Sequence, residues 1–193
     1  MRDRVGRGRL FVISGPSGVG KGTVVQALLD ARSDLRFAVS YTTREPRPGE
    51  VDGVHYRFVD EQTFDAIAGA GGFLEWAEIF GHRSGTPAAD VEGALEAGGD
   101  VLLEVDVQGA RSVREKAPDA VLIFLTPPSD EELERRLRER GTEGASDLRL
   151  RMSEAKRELA AAPEFDHVVV NDQVDRAVGE VLAIIEGSKE RKS

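Results

Sequence analysis

The chain has 193 residues, 40% hydrophobic and 6% aromatic, enough to build the core of one domain. Its 26 Lys and Arg against 35 Asp and Glu leave a net charge of −9, which argues against holding DNA or RNA by general electrostatics. With no cysteine there is no disulfide, thiolate metal site or cysteine nucleophile, and no apolar run approaches the roughly 20 residues of a membrane span.

The basic start of the chain (Arg2, Arg4, Arg7, Arg9) reads as a frayed tail, because the apolar run after it is too short for a signal peptide. Leu10–Ser14 is that run, read as a buried strand. Gly15-Pro16-Ser17-Gly18-Val19-Gly20-Lys21 follows, then Gly22, Thr23 and a helical pattern to about residue 31. A strand, a glycine-rich loop and a helix in that order make a phosphate socket. The glycines let backbone N–H groups converge, the helix N-terminus adds its positive end, and Lys21 adds an ammonium. The hydroxyl residue that usually follows the lysine is replaced by Gly22, with Thr23 next.

Residues 37–42 read as a second strand. Residues 40–50 then break regular structure with Pro46, Pro48 and Gly49, and put Arg44 and Arg47 on a stiffened loop. Guanidinium forks match phosphate oxygens, so a second phosphate-bearing substrate is expected there. Residues 54–59 alternate like a strand, 60–67 read as a short helix, and 73–80 alternate again. Residues 81–87 read as a turn and 88–97 as a helix closed by Gly98 and Gly99. Glu75, between Leu74 and Trp76, is a carboxylate that could accept both N1–H and N2–H₂ of guanine. Thr86 could offer a hydroxyl to guanine O6.

Residues 101–106 are apolar and then acidic, a buried strand that ends at Asp106. A helix over 107–116 and a plain buried strand over 120–125 follow. Ser129 with Glu132 forms a capping box opening a helix to Arg140. Gly141–Ser146 is a loose stretch, 147–162 a helix carrying Arg149, Arg151 and Arg157, and His167–Val170 the last strand. Residues 172–186 form an amphipathic helix, and 189–193 a charged tail. Strands alternating with helices predict an α/β fold, a parallel sheet covered on both faces. A β-rich insertion and an arginine-rich helical one are expected at its carboxyl edge.

The string Ser40-Tyr41-Thr42-Thr43-Arg44-Glu45-Pro46-Arg47-Pro48-Gly49-Glu50 resembles the guanylate kinase family. So do the Gly15–Lys21 loop, Gly53 with Tyr56, residues 73–77, Gly85-Thr86, residues 104–109 and Arg140-Gly141-Thr142-Glu143, in family order. The resemblance implies a P-loop nucleoside-monophosphate kinase fold and one domain over 1–193. Its core would be 8–37, 88–126 and 161–188, with a GMP-binding region over 38–87 and a lid over 127–160. It implies transfer of the γ-phosphoryl of ATP to GMP in purine nucleotide metabolism, with dGMP as an alternative acceptor. The protein would be a cytoplasmic monomer or homodimer without nucleic-acid or membrane partners.

By matching position, Gly15, Pro16, Ser17, Gly18, Val19, Gly20, Lys21, Gly22 and Thr23 would bind ATP, with Asn171 near the adenine. Ser40, Arg44, Arg47 and Tyr56 would hold the GMP phosphate, Glu75 and Thr86 would read guanine, and Asp106 would lie near GMP and the metal. Lys21, Arg44, Arg140 and Arg151 would be catalytic, the last two reaching from the lid, whose mobility Gly141 and Gly144 fit. Mg²⁺ would come with ATP, held mainly by nucleotide and water, with no protein ligand assigned. The chain departs from the family pattern at Gly22, where a serine is frequent, and at Ser84, where a tyrosine is frequent. Two other readings compete: another monophosphate kinase, since Gly22-Thr23 resembles adenylate kinase, and a partner-binding module that has lost catalysis. Glu75 and the 43–50 string oppose the first; Lys21 and the four arginines oppose the second.

Overall fold

The computed structural model describes residues 6–79, 81–140 and 145–190. Its elements run β1 (Leu10–Ser14), α1 (Lys21–Ala31), β2 (Arg36–Phe37), β3 (Tyr41–Thr42), β4 (Arg57–Phe58), α2 (Glu61–Gly69), β5 (Phe73–Ile79) and β6 (His82–Pro87). They continue with α3 (Ala88–Glu96), β7 (Val101–Glu104), α4 (Val107–Lys116), β8 (Val121–Thr126), α5 (Asp130–Arg140), α6 (Ala145–Leu159), β9 (His167–Val170) and α7 (Val174–Glu190). One sheet has five parallel strands in the order β2-β7-β1-β8-β9; the other has four in the order β4-β3-β6-β5. Every residue of β1 is buried, the continuous apolar run expected of a parallel strand covered on both faces. Among the described residues no helix is long and apolar enough to cross a membrane.

The chain divides into two compact units. The first comprises residues 1–10, 34–103 and 108–120 and carries the four-stranded sheet. Phe64 and Phe73 are buried in its core 4.6 Å apart; the exposed Trp76 meets Phe64 edge-on at 6.0 Å, and the partly buried Tyr41 meets Phe73 at 6.0 Å. Gly85 belongs to this packing, because a Cβ there would fall 2.8 Å from Trp76 Cβ and 3.0 Å from Phe73. The second unit comprises 11–33, 104–107 and 121–193. In it β1 and β8 pair in register from Phe11↔Val121, and β8 pairs with β9 from Ile123↔His167. The apolar stripe of α7 (Ala177, Val178, Val181, Ile185) is buried, and the helix packs on α1.

Several expectations are corrected. The strand read over 37–42 is two: β2 pairs with β7, while β3, past a break at 38–40, joins the other sheet. The strand read over 54–59 shrinks to β4, since Gly53 takes a left-handed φ of 75° and the chain turns there. The turn read over 81–87 is strand β6, antiparallel to both β3 and β5. Only Gly81 (φ 77°) acts as the turn. Turn-forming residues sit in a strand here because two neighbours supply its hydrogen bonds. The tail is tied down where it is described: Arg7 pairs with Glu92, and Arg9 with Asp100, both at 2.7 Å. The helix read over 147–162 is α6, which starts at Ala145 and gives way to a 3₁₀ turn at Ala162–Glu164 containing Pro163. The last helix starts at Val174 rather than at residue 172. Arg2, Arg4, Phe80 at the end of the strand read over 73–80, the 141–144 part of the loose stretch with Gly141 and Gly144, and residues 191–193 lie outside the described residues.

The capping box is half realised. Ser129 Oγ accepts the Glu132 N–H at 3.2 Å, but the Glu132 side chain turns to Arg135 and Arg136, each at 2.7 Å.

Candidate active site

The phosphate loop leaves β1 at Gly15, whose φ is +147° and where a Cβ would lie 2.4 Å from the Leu125 carbonyl oxygen; only glycine fits. Gly20, at φ 97°, is the N-cap of α1 and offers no side-chain cap. The first N–H groups of α1 are therefore left for an external anion, at the positive end of the helix. Lys21 Nζ donates to Gly15 O at 2.6 Å and to Pro16 O at 3.3 Å, so its cation is folded over the start of the loop. The Ser17 N–H donates to Glu158 Oε2 at 3.0 Å. Burial pushes the Glu158 carboxyl up; the Ser17 N–H and Lys21 oppose that, and Asp106 and Glu154 add to it. Lys21, Asp106 and Glu158 thus share one electrostatic neighbourhood.

The far side of the loop is pinned through Val19, whose carbonyl accepts from Asn171 Nδ2 at 2.8 Å and from Arg136 Nη1 at 3.1 Å. Arg136 also donates to Asn171 O at 3.0 Å and to Glu132 at 2.7 Å. A cavity of ≈260 Å³ opens here, lined by Gly18, Gly20, Thr23, Arg136, Asn171 and Asp172 among others. Asn171 Oδ1 is buried with no hydrogen-bond partner among the described residues. A buried acceptor beside a cavity is a place for a ligand donor.

The first unit carries its own cluster. Glu75 on β5 faces Thr86 on β6 across the sheet, beside an irregularity between Phe73 and Glu75 that re-aims the strand. Glu75 is buried, at 5% exposure. Its Oε1 accepts the Thr86 N–H at 3.1 Å and the Thr86 hydroxyl at 2.6 Å, and the Thr86 and Ser40 hydroxyls lie 3.2 Å apart. The Thr86 proton is therefore committed to Glu75 in this structure. Arg44 forks onto Glu50 at 2.8 and 2.9 Å and lies over the Tyr56 ring at 5.3 Å. The Arg44 fork holds the Glu50 carboxyl below its ordinary range, helped by the Arg47 N–H at 2.7 Å. Arg47 itself is exposed. Ser84, at a family departure, donates its hydroxyl to Tyr41 O at 3.2 Å.

The structure thus groups Ser40, Glu75 and Thr86, and separately Arg44 with Tyr56. In the second unit it groups the Gly15–Thr23 loop with Asn171 and puts both Asp106 and Lys21 within electrostatic reach of Glu158. Arg151 is on α6; Arg140 ends α5, and its side chain lies outside the described residues. Three residues were not singled out from sequence: Glu50, Arg136 and Glu158. Glu50 closes the 40–50 string, Arg136 precedes Arg140 by one turn, and Glu158 follows Arg151 by two. Such spacing was the available signal.

A family model described as guanylate kinase matches residues 7–188. A guanylate kinase of Nocardia farcinica is 52% identical over 193 residues, covering 99% of this chain and 100% of its own length. One of Thermus thermophilus is 54% identical over 185 residues, 96% of this chain and 84% of that protein. Among solved structures, the crystal structure of guanylate kinase from Anaplasma phagocytophilum matches with a TM-score of 0.80 at 33% identity, over 95% of this chain and 87% of that one.

Proposed function

The chain belongs to the guanylate kinase family, and from that premise we propose how its side chains divide the work. It is a nucleoside-monophosphate kinase that transfers the γ-phosphoryl of ATP to GMP, giving ADP and GDP. The core is 8–37, 88–126 and 161–188; residues 38–87 take GMP and 127–160 form a lid.

The observation that carries the base assignment is the buried Glu75 carboxylate paired with Thr86. Guanine brings two adjacent donors to such a group, whereas adenine N1 would bring a lone pair against the charge. Thr86 reads O6 once its hydroxyl turns from Glu75, or else serves by fixing that carboxylate. Ser40, Arg44, Arg47 and Tyr56 hold the GMP phosphate. Glu50 takes one N–H from each terminal nitrogen of Arg44, which fixes the guanidinium plane before substrate arrives. ATP binds along residues 15–23, its phosphates taking loop N–H groups other than that of Ser17, which Glu158 holds, Pro16 having none; Lys21 turns from the Gly15 and Pro16 carbonyls onto them, and Asn171 lies by the adenine.

The residues fit a magnesium ion that travels with ATP. Glu104 Oε2 lies 3.7 Å from where a Cβ of Gly22 would be, so a carboxylate stands where the loop lacks its hydroxyl. Asp106 follows two residues on, and Mg²⁺ is commonly held by one or two carboxylates, phosphates and water. When bound it neutralises phosphate charge.

Transfer asks little covalent work of the protein. The GMP phosphate, with a second pKa of about 6, is already ionised at pH 7, so no strong general base is required. Lys21, Arg44, Arg140 and Arg151 align the two phosphates and offset their repulsion. Lid closure keeps water from taking the phosphoryl group. ADP production with GMP, dGMP, AMP and UMP side by side tests the reading. GMP is expected to lead. A preference for AMP would refute the guanine assignment, and no turnover would leave the binding-module reading.

A further inference from the structure

Glu158 is a half-buried carboxylate for which the reaction, as derived above, has no task. A charge taken out of water is costly unless it is hydrogen-bonded. Here the bond goes from the Ser17 N–H, 141 positions away, to Glu158 Oε2 at 3.0 Å. Gly15 and Pro16, which precede Ser17 in the loop, carry the Lys21 ammonium on their carbonyls. The loop's first turn therefore holds a cation from α1 and an anion from α6 on successive residues.

Helix α6 presents two faces. Leu148, Met152, Ala155 and Leu159 form an apolar stripe packed with Leu133 and Leu137 of α5. Arg151, Glu154 and Glu158 lie on the neighbouring face at intervals of three and four. Arg151 and Glu158, seven residues apart, differ by only about 20° around the axis and by about 10 Å along it. Whatever fixes Glu158 on the loop fixes the height and rotation of Arg151.

We propose that Glu158 is a positioning residue: its carboxylate docks α6 on the phosphate loop through the Ser17 N–H and thereby sets where Arg151 meets the transferring phosphates. This rests on the role given to Arg151 above. The bond is a matter of reach. Glutamine at 158 keeps the length and an acceptor oxygen; aspartate keeps the charge but is one methylene short.

The test measures kcat and the KM values for ATP and GMP, with melting curves, in Glu158→Gln, Glu158→Asp, Glu158→Ala, Arg151→Ala and the Glu158→Ala/Arg151→Ala double variant. Glu158→Asp and Glu158→Ala are expected to lower kcat at least tenfold with the KM for GMP within twofold, and Glu158→Gln to recover most of that loss. The double variant is expected to fall no more than about threefold below Arg151→Ala alone, because both changes remove the same contact. If Glu158→Ala does not fold, the same cycle is run with Glu158→Asp. Losses that multiply in the double variant, or an aspartate variant as active as the glutamine one, would overturn the proposal. An Arg151→Ala variant with unchanged kcat would instead refute the role of Arg151. Full activity in Glu158→Ala beside an impaired Arg151→Ala would refute only the docking.

Discussion

Glu75→Gln changes almost no volume, yet the structure says which way the new amide must face. Oε1 of Glu75 holds two donors, the Thr86 N–H at 3.1 Å and the Thr86 hydroxyl at 2.6 Å. In the variant the glutamine oxygen stays with those donors and the NH₂ takes the other position. Guanine N1–H and N2–H₂ then meet a donor instead of an acceptor. An unmatched buried polar group costs about 1–3 kcal/mol, and about 2 kcal/mol corresponds to a roughly 30-fold rise in the Kd for GMP. ATP binding is expected to stay within about twofold, since Glu75 and Thr86 belong to the first unit and the phosphate loop to the second. Calorimetric titration of GMP and of ATP into the wild type and the variant, with a melting curve for each, decides it. A GMP affinity within twofold of wild type would mean that Glu75 only ties β5 to β6. An equal loss for ATP would mean that the substitution disturbed the whole protein.

Arg44→Lys replaces a fork locked on two Glu50 oxygens with a single ammonium; the KM for GMP is expected to rise about tenfold with the KM for ATP unchanged, read from initial rates. Gly85→Ala places a Cβ 2.8 Å from Trp76 Cβ. Overpacking of this kind costs about 1–3 kcal/mol and should lower the Tm by several degrees in a thermal melt. Glu132, hydrogen-bonded first by Arg135 and then by Arg136, has its pKa lowered from 4.5 to about 2. A carboxyl depressed on folding stabilises fully above its unfolded value and loses that contribution as pH falls through the folded one. Glu132→Gln should therefore be less stable than wild type near pH 6, and the two should converge as pH falls from about 4.5 towards 2, followed by circular dichroism.

Features with a local cause were legible in the chain itself. The phosphate loop needs glycine where φ is positive and where the backbone passes close to Leu125, and such needs are written residue by residue. The continuous apolar runs of β1 and β8 announce buried parallel strands, and Ser129 announces the start of α5. The 40–50 string put Arg44 near Tyr56 through resemblance, and the structure adds that Glu50 holds the fork.

Partnership between distant segments was decided only by the tertiary structure. β6 carries Gly81 at its edge and Gly85 and Pro87 within it, a turn by local preference, and it is a strand because β3 and β5 satisfy its backbone on both sides. The break at 38–40 divides one apparent strand between two sheets, a choice that depends on which neighbour each half meets. The bonds of Glu158 to Ser17 and of Arg136 to Val19 span 141 and 117 positions. No periodicity along the chain encodes them, because a hydrogen bond of that kind exists only once packing has brought its donor and acceptor together.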